Sequence, residues 1–215
     1  MYLKKERFFY YFVLTAMVFF YISCATTKGI NKKQAFAAAT PFGLSLGMNF
    51  ADVADVCGGA EPEYIENDSY YFFPVKAHPF FKQYIVFIDK EKGLYRIKVI
   101  SDEIKTNEYG SELKNAFSDI SKRVSEIYGK EKLIDKTSSD SLFLKDNSYW
   151  AKTISEGSRK YGAIWKAPKK KKSKYNLDNI YMYVITQSYP QTGWIVLEYN
   201  FSNMKLIQES QDDVF

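Results

Sequence analysis

Apolar positions recur along this chain with two different periods. Between residues 111 and 128, Leu113, Phe117, Ile120, Val124 and Ile127 fall three or four apart. That spacing puts them on one stripe of an α-helix. Asp119 and Arg123 stand four apart on the wet side, spaced for an ion pair, and Gly129 supplies a stop. A shorter helix is expected after Asn49, an N-cap type with Asp52 three residues on. Val53, Val56 and Cys57 share its inner side, and Gly58 and Gly59 end it. A third helix is expected within residues 141–155, with Trp150 and Ile154 on one face and Gly157 after it.

Strand patterns fill most of what is left. Residues 42–47, 69–75, 84–89, 94–101, 159–166, 180–188 and 193–201 read as strands, rich in aromatic and β-branched side chains. Lys90 to Gly93 make a hairpin turn, and Tyr189, Pro190, Gln191 and Thr192 make another. The continuous apolar run at 194–197 marks a central strand covered on both faces. Residues 61–68 read as an acidic loop, and 205–215 as a polar tail.

The order β-α-β-β-β-α-α-β-β-β lacks strict βαβ alternation. It predicts an α+β fold, a mainly antiparallel sheet with about three helices packed on it, as one domain over residues 41–204. Each half contains a helix followed by three strands, although the residues of the two halves do not match.

Composition agrees with a folded domain. Apolar residues make up 46% of the chain, charged residues 26% and aromatics 18%, so the core can be large. The net charge of +5 falls to +3 once residues 1–23 are set aside, because they hold Lys4, Lys5 and Arg7 against Glu6. Such a small excess does not point to nucleic acid. Two cysteines, Cys24 and Cys57, are too few for a disulfide framework.

The N-terminus carries address information. Basic residues at 4–7 precede fifteen uncharged, mostly apolar residues at 8–22, and Ser23 stands directly before Cys24. The run Tyr21-Ile22-Ser23-Cys24 resembles the signal of bacterial lipoproteins, with Tyr21 where leucine is usual. The resemblance implies cleavage before Cys24, lipid on its thiol and new amino group, and a tether over residues 24–40. Hydrocarbon burial then holds the domain to a membrane outside the cytoplasm, in the periplasm or at the cell surface. Two other readings stand beside it. Residues 8–27 are twenty uncharged residues, the length of an uncleaved membrane anchor. Ordinary secretion would leave Cys24 free to pair with Cys57. A second, local resemblance joins Gly43, Met48, Asp52, Val53 and Gly58 to the opening of small envelope lipoproteins of the SmpA/OmlA type. It covers about sixteen residues and carries no functional residue with it.

Candidate chemistry is sparse. His78 is the one histidine and would have to serve any Ser-His-Asp or Cys-His site. Glu61, Glu63, Glu66 and Asp68 are close enough in sequence for Ca²⁺, but EF-hand spacing is absent. No metal-ligand spacing, phosphate loop or dinucleotide fingerprint occurs, so no cofactor is expected. Lys169, Lys170, Lys171, Lys172 and Lys174 form a basic run between two strands, suited to an anionic membrane surface or an anionic envelope polymer. Tyr70 and Tyr71, and Tyr181 and Tyr183, lie on strands where one of each set can face out for protein or glycan contact. The expectation is a membrane-tethered, non-enzymatic binding or structural module of the bacterial envelope, with envelope proteins or anionic polymers as partners. The alternative is an exported hydrolase assembled from distant residues. A cleft joining His78 to a carboxylate and a hydroxyl would mark the enzyme, and an open aromatic sheet face would mark the binder.

Overall fold

A computed structural model describes residues 39–138, 146–167, 177–188, 191–205 and 207. The chain divides into residues 1–30 and 31–215, and every described residue belongs to the second unit.

The fold is α+β. Nine antiparallel strands form one sheet: β1 (Glu63–Glu66), β2 (Ser69–Tyr71), β3 (Phe81–Asp89), β4 (Gly93–Ser101), β5 (Ile104–Lys105), β6 (Lys132–Thr137), β7 (Arg159–Lys166), β8 (Leu177–Gln187) and β9 (Thr192–Phe201). The spatial order is β1-β2-β3-β4-β9-β8-β7-β6, with β5 adding a short pairing to β9. The helices are α1 (Phe50–Val56), α2 (Ser111–Tyr128) and α3 (Trp150–Ser155).

The expected halves are both present, each with one strand more than the sequence pattern gave. α1 leads into β1–β4, and α2 leads into β6–β9 with α3 inserted. The last strands of the halves, β4 and β9, pair at the centre, where Lys98 stands opposite Glu198.

α1 begins as the sequence dictates. The Asn49 side chain accepts from the Asp52 backbone N–H, and the Asp52 carboxylate accepts from the Asn49 backbone N–H, both at 3.0 Å. α2 spans the eighteen residues expected and buries Leu113, Phe117, Ile120 and Val124. Ile127, expected on the same stripe, is 53% exposed, and Tyr128 takes the buried place. Asp119 and Arg123 form no ion pair among the described residues.

Three expectations need correction. Residues 42–47 are no strand: Pro41–Gly43 is a 3-10 turn, and positive φ at Phe42, Gly43 and Gly47 bars an extended path. The acidic loop contains strand β1, paired Tyr64 to Tyr70 and hinged on Asn67, whose φ of 51° asparagine tolerates in a tight turn. The sequence pattern predicts neither β5 nor β6. β9 is central and buried as expected, yet α1, α2 and α3 all bury side chains in one cluster with Ile97, Leu197 and Met182, so no described helix covers the other face of the sheet.

The core lies between the helices and that face. Val53, Phe72, Val86, Ile97, Phe117, Trp150, Trp165 and Leu197 belong to one continuous cluster. The Trp165 indole N–H donates to Ser125 Oγ at 3.0 Å, fixing α2 over β7. Thr186 Oγ1 donates to the Ala151 carbonyl at 2.6 Å, fixing α3 over β8.

Candidate binding face

Side chains alternate across a sheet, so each strand sends half its residues to the face that no described helix covers. Register places Ile85 and Phe87 of β3, Arg96, Lys98 and Ile100 of β4, Trp194, Val196 and Glu198 of β9, and Tyr181, Tyr183 and Ile185 of β8 on that open face. Gly162 and Ile164 of β7 and Ile134 of β6 continue it. Val196 and Ile164 are buried among their neighbours, so the exposed apolar area is aromatic and aliphatic at fewer points, and Lys132, Lys136 and Lys160 share the face at the β6–β7 end. Tyr181 and Ile185 keep 37% and 42% of their area exposed.

At the centre of this face Arg96, Lys98 and Glu198 are tied down, whereas Lys136 and Lys160 at the β6–β7 end make no ion pair among the described residues. The Tyr183 hydroxyl donates to Glu198 Oε1 at 2.9 Å, and Lys98 Nζ lies 3.6 Å from the same oxygen. Burial, then the Glu198 charge, raises the Tyr183 hydroxyl well above its ordinary range, so it stays protonated and donates. The Arg96 guanidinium stacks 4.1 Å over the Phe87 ring and lies 5.8 Å from that of Tyr95. Rigid aromatics beside a pinned ion pair are the groups that protein contacts favour.

The tyrosine expectation resolves unevenly. Tyr181 and Tyr183 both point to the open face, being two apart on one strand. Tyr71 shares that face through its pairing with Ile85, whereas Tyr70 turns inward against Phe50 and Tyr64.

His78 does not meet a catalytic set. Its backbone N–H donates to the Tyr84 hydroxyl, which donates back to the His78 carbonyl, at 2.9 and 2.8 Å. Nδ1 accepts from the Phe80 backbone N–H at 3.2 Å, so the neutral ring carries its proton on Nε2. The ring borders a 140 Å³ cavity lined by Phe42, Phe81, Ile120, Arg123, Tyr128 and Tyr199, among others. Among the described residues no carboxylate, serine, threonine or cysteine lines it. Burial lowers the pKa of His78, and the charge of Arg123 adds to that. Burial likewise raises the Tyr128 hydroxyl to about 12.

Glu63 and Glu66 lie exposed on edge strand β1. Among the described residues no group of three or more His, Cys, Asp or Glu side chains could hold a metal ion. Cys57 is a buried free thiol, and burial raises its pKa. Among the described residues no helix is long and apolar enough to cross a membrane. Cys24, the leader at 1–23, Lys169, Lys170, Lys171, Lys172, Lys174, Tyr189 and Pro190 lie outside the described residues.

No family model, curated protein or solved structure matches this chain. Function must therefore be argued from the open face and the leader alone.

Proposed function

We propose that this chain is a membrane-tethered, non-enzymatic binding module of the bacterial envelope, anchored through Cys24 and presenting the open face of its sheet to a partner chain. The observation that carries the binding half is that face: Tyr71, Tyr181 and Ile185 are exposed on it, and the described helices pack their buried side chains into the core on the opposite side. Surfaces of this kind mark interaction sites when they are contiguous and rimmed by polar residues. His78 supports the non-enzymatic half, because its Nδ1 is already used as an acceptor and, among the described residues, its cavity offers no serine, threonine, cysteine or carboxylate. The tether rests on the leader, with its basic start, apolar run and Ser23-Cys24 pair.

The test of the tether is metabolic labelling with a palmitate analogue in a bacterial host. The intact chain should take up label and sediment with membranes, starting at Cys24. Cys24→Ser should lose the label and retain residues 1–23. Unlabelled full-length chain in the cytosol, with residues 1–23 attached, would end this reading.

A further inference from the structure

The sheet has an internal split. Strand β7 pairs with β6 along its whole length, from Arg159 opposite Thr137 to Ile164 opposite Lys132. It pairs with β8 only from Gly162 opposite Tyr183 to Lys166 opposite Asn179. β8 meanwhile continues along β9 as far as Gln187 opposite Thr192. Residues 159–161 and 184–187 therefore diverge with no ladder between them. The gap is a cavity of about 390 Å³. Tyr161 and Ala163 line one wall, Tyr183 and Ile185 the other, with Ile154 of α3 and Ile134 of β6 completing the lining. Gly162 sits at the apex, where an added Cβ would lie 2.6 Å from the Met182 carbonyl oxygen.

Two features select an occupant. Both walls are stretches of strand that lack a ladder partner on the cleft side among the described residues, and backbone N–H and C=O groups are costly to leave unpaired. An acyl chain would fill the apolar space and satisfy none of them. An extended peptide satisfies them by adding a short strand. At the spacings of a sheet, the volume holds on the order of two to three residues. The second feature is charge. Lys160 lines the cleft and stands directly opposite Lys136 on β6. Neither makes an ion pair among the described residues, and like charges facing each other on adjacent strands destabilise. Arg159 is already held by Asp135 in a bidentate pair at 2.7 and 2.6 Å. Among the described residues no carboxylate lines the cleft.

We infer that the β7–β8 cleft binds an extended peptide segment that pairs with the strand walls, seats an apolar side chain between Ile134 and Ile185, and places a carboxylate at Lys136 and Lys160. This rests on the binding-module reading above and gives it a ligand class.

The probe is a library of random heptapeptides displayed on phage, selected against the full chain in detergent micelles. Selected peptides should alternate apolar residues with at least one Asp or Glu. In synthetic form they should slow amide hydrogen exchange at residues 159–161 and 184–186. Methylating alternate peptide amides should abolish binding, and Lys160→Glu should weaken it about tenfold while improving a lysine-bearing analogue. Ile185→Asp, at an exposed wall position, should weaken binding similarly. Should that variant misfold, the methylated peptide and Lys160→Glu still decide. The inference is overturned if no selected peptide binds below about 1 mM, if protection maps elsewhere, if methylated peptides bind equally, or if octanoate protects the same amides as well as the peptides do. Failure here with Cys24 labelling intact removes the peptide ligand and leaves the tethered module. Loss of labelling with peptide binding intact does the reverse.

Discussion

Burial opposes a proton on the His78 ring, and the charge of Arg123 opposes it further. The folded chain therefore binds that proton less readily than the unfolded chain, whose histidine titrates near 6.5. Between the lowered folded value and 6.5 the unfolded state holds more protons, so stability rises with pH across that window. The contribution is complete above the unfolded value and is lost as pH falls through the folded one. The urea midpoint of the intact chain should accordingly drop between about pH 7.5 and pH 5 more steeply than that of His78→Gln, which has no ring to titrate. Parallel pH profiles would mean that the ring titrates alike in both states. The same residue shows why a lone histidine in a sequence says little. Only the structure reveals that its Nδ1 is occupied and that no described serine, threonine, cysteine or carboxylate lines its cavity.

α2 and α3 meet where Gly110 precedes α2. Its φ is +69°, and a Cβ there would lie 2.0 Å from Trp150 Cε3. Gly110→Ala must strain the backbone and displace a buried ring, at a cost of about 3 kcal/mol or more. Gly59→Ala is the control: φ is +90°, nothing lies within 4 Å, and the cost should be about 1 kcal/mol. Equilibrium denaturation separates the two, and equal losses would show that Trp150 yields freely. The elements differ just as much in how readily the sequence betrayed them. α2 and β7 were legible to the residue because one buries a stripe at helical spacing and the other carries the buried run Gly162 to Trp165. β1 and β6 were not, since each is an exposed edge of Glu or Lys that reads as a loop until it is paired. Residues 42–47 misled in the opposite sense, because alternation suggested a strand where positive φ forms a turn. The tyrosines of β8 marked the open face in advance. The cleft left a single trace, a glycine inside a strand pattern, because it arises from the register of β7 against β8.

The first half of the molecule is α1 with four strands and the second is α2 and α3 with four strands, and four strands with one covered face could in principle stand alone. The packing indicates that they do not. β4 and β9 pair across the middle, and the Ile195 backbone N–H of one half donates to the buried Ser101 hydroxyl of the other at 3.0 Å. Val86 and Ile97 of the first half share one apolar cluster with Leu197 and Trp165 of the second. Separating the halves would expose that seam and strip partners from the inner edges of both β4 and β9. Removing a side chain at the seam should thus destabilise both halves together. Leu197→Ala opens a cavity beside Val99 and Met182, its partners in register, and should cost about 2–5 kcal/mol. All three tryptophans, Trp150, Trp165 and Trp194, lie in the second half, so fluorescence reports on that half alone. Amide exchange at Val86 and Ile97 reports on the first. In urea both probes should move through one transition, and Leu197→Ala should lower both midpoints equally. If amides of β3 and β4 stayed protected after the tryptophan signal was lost, the halves would be separate cores joined only by a ladder, and the open face would be two surfaces instead of one.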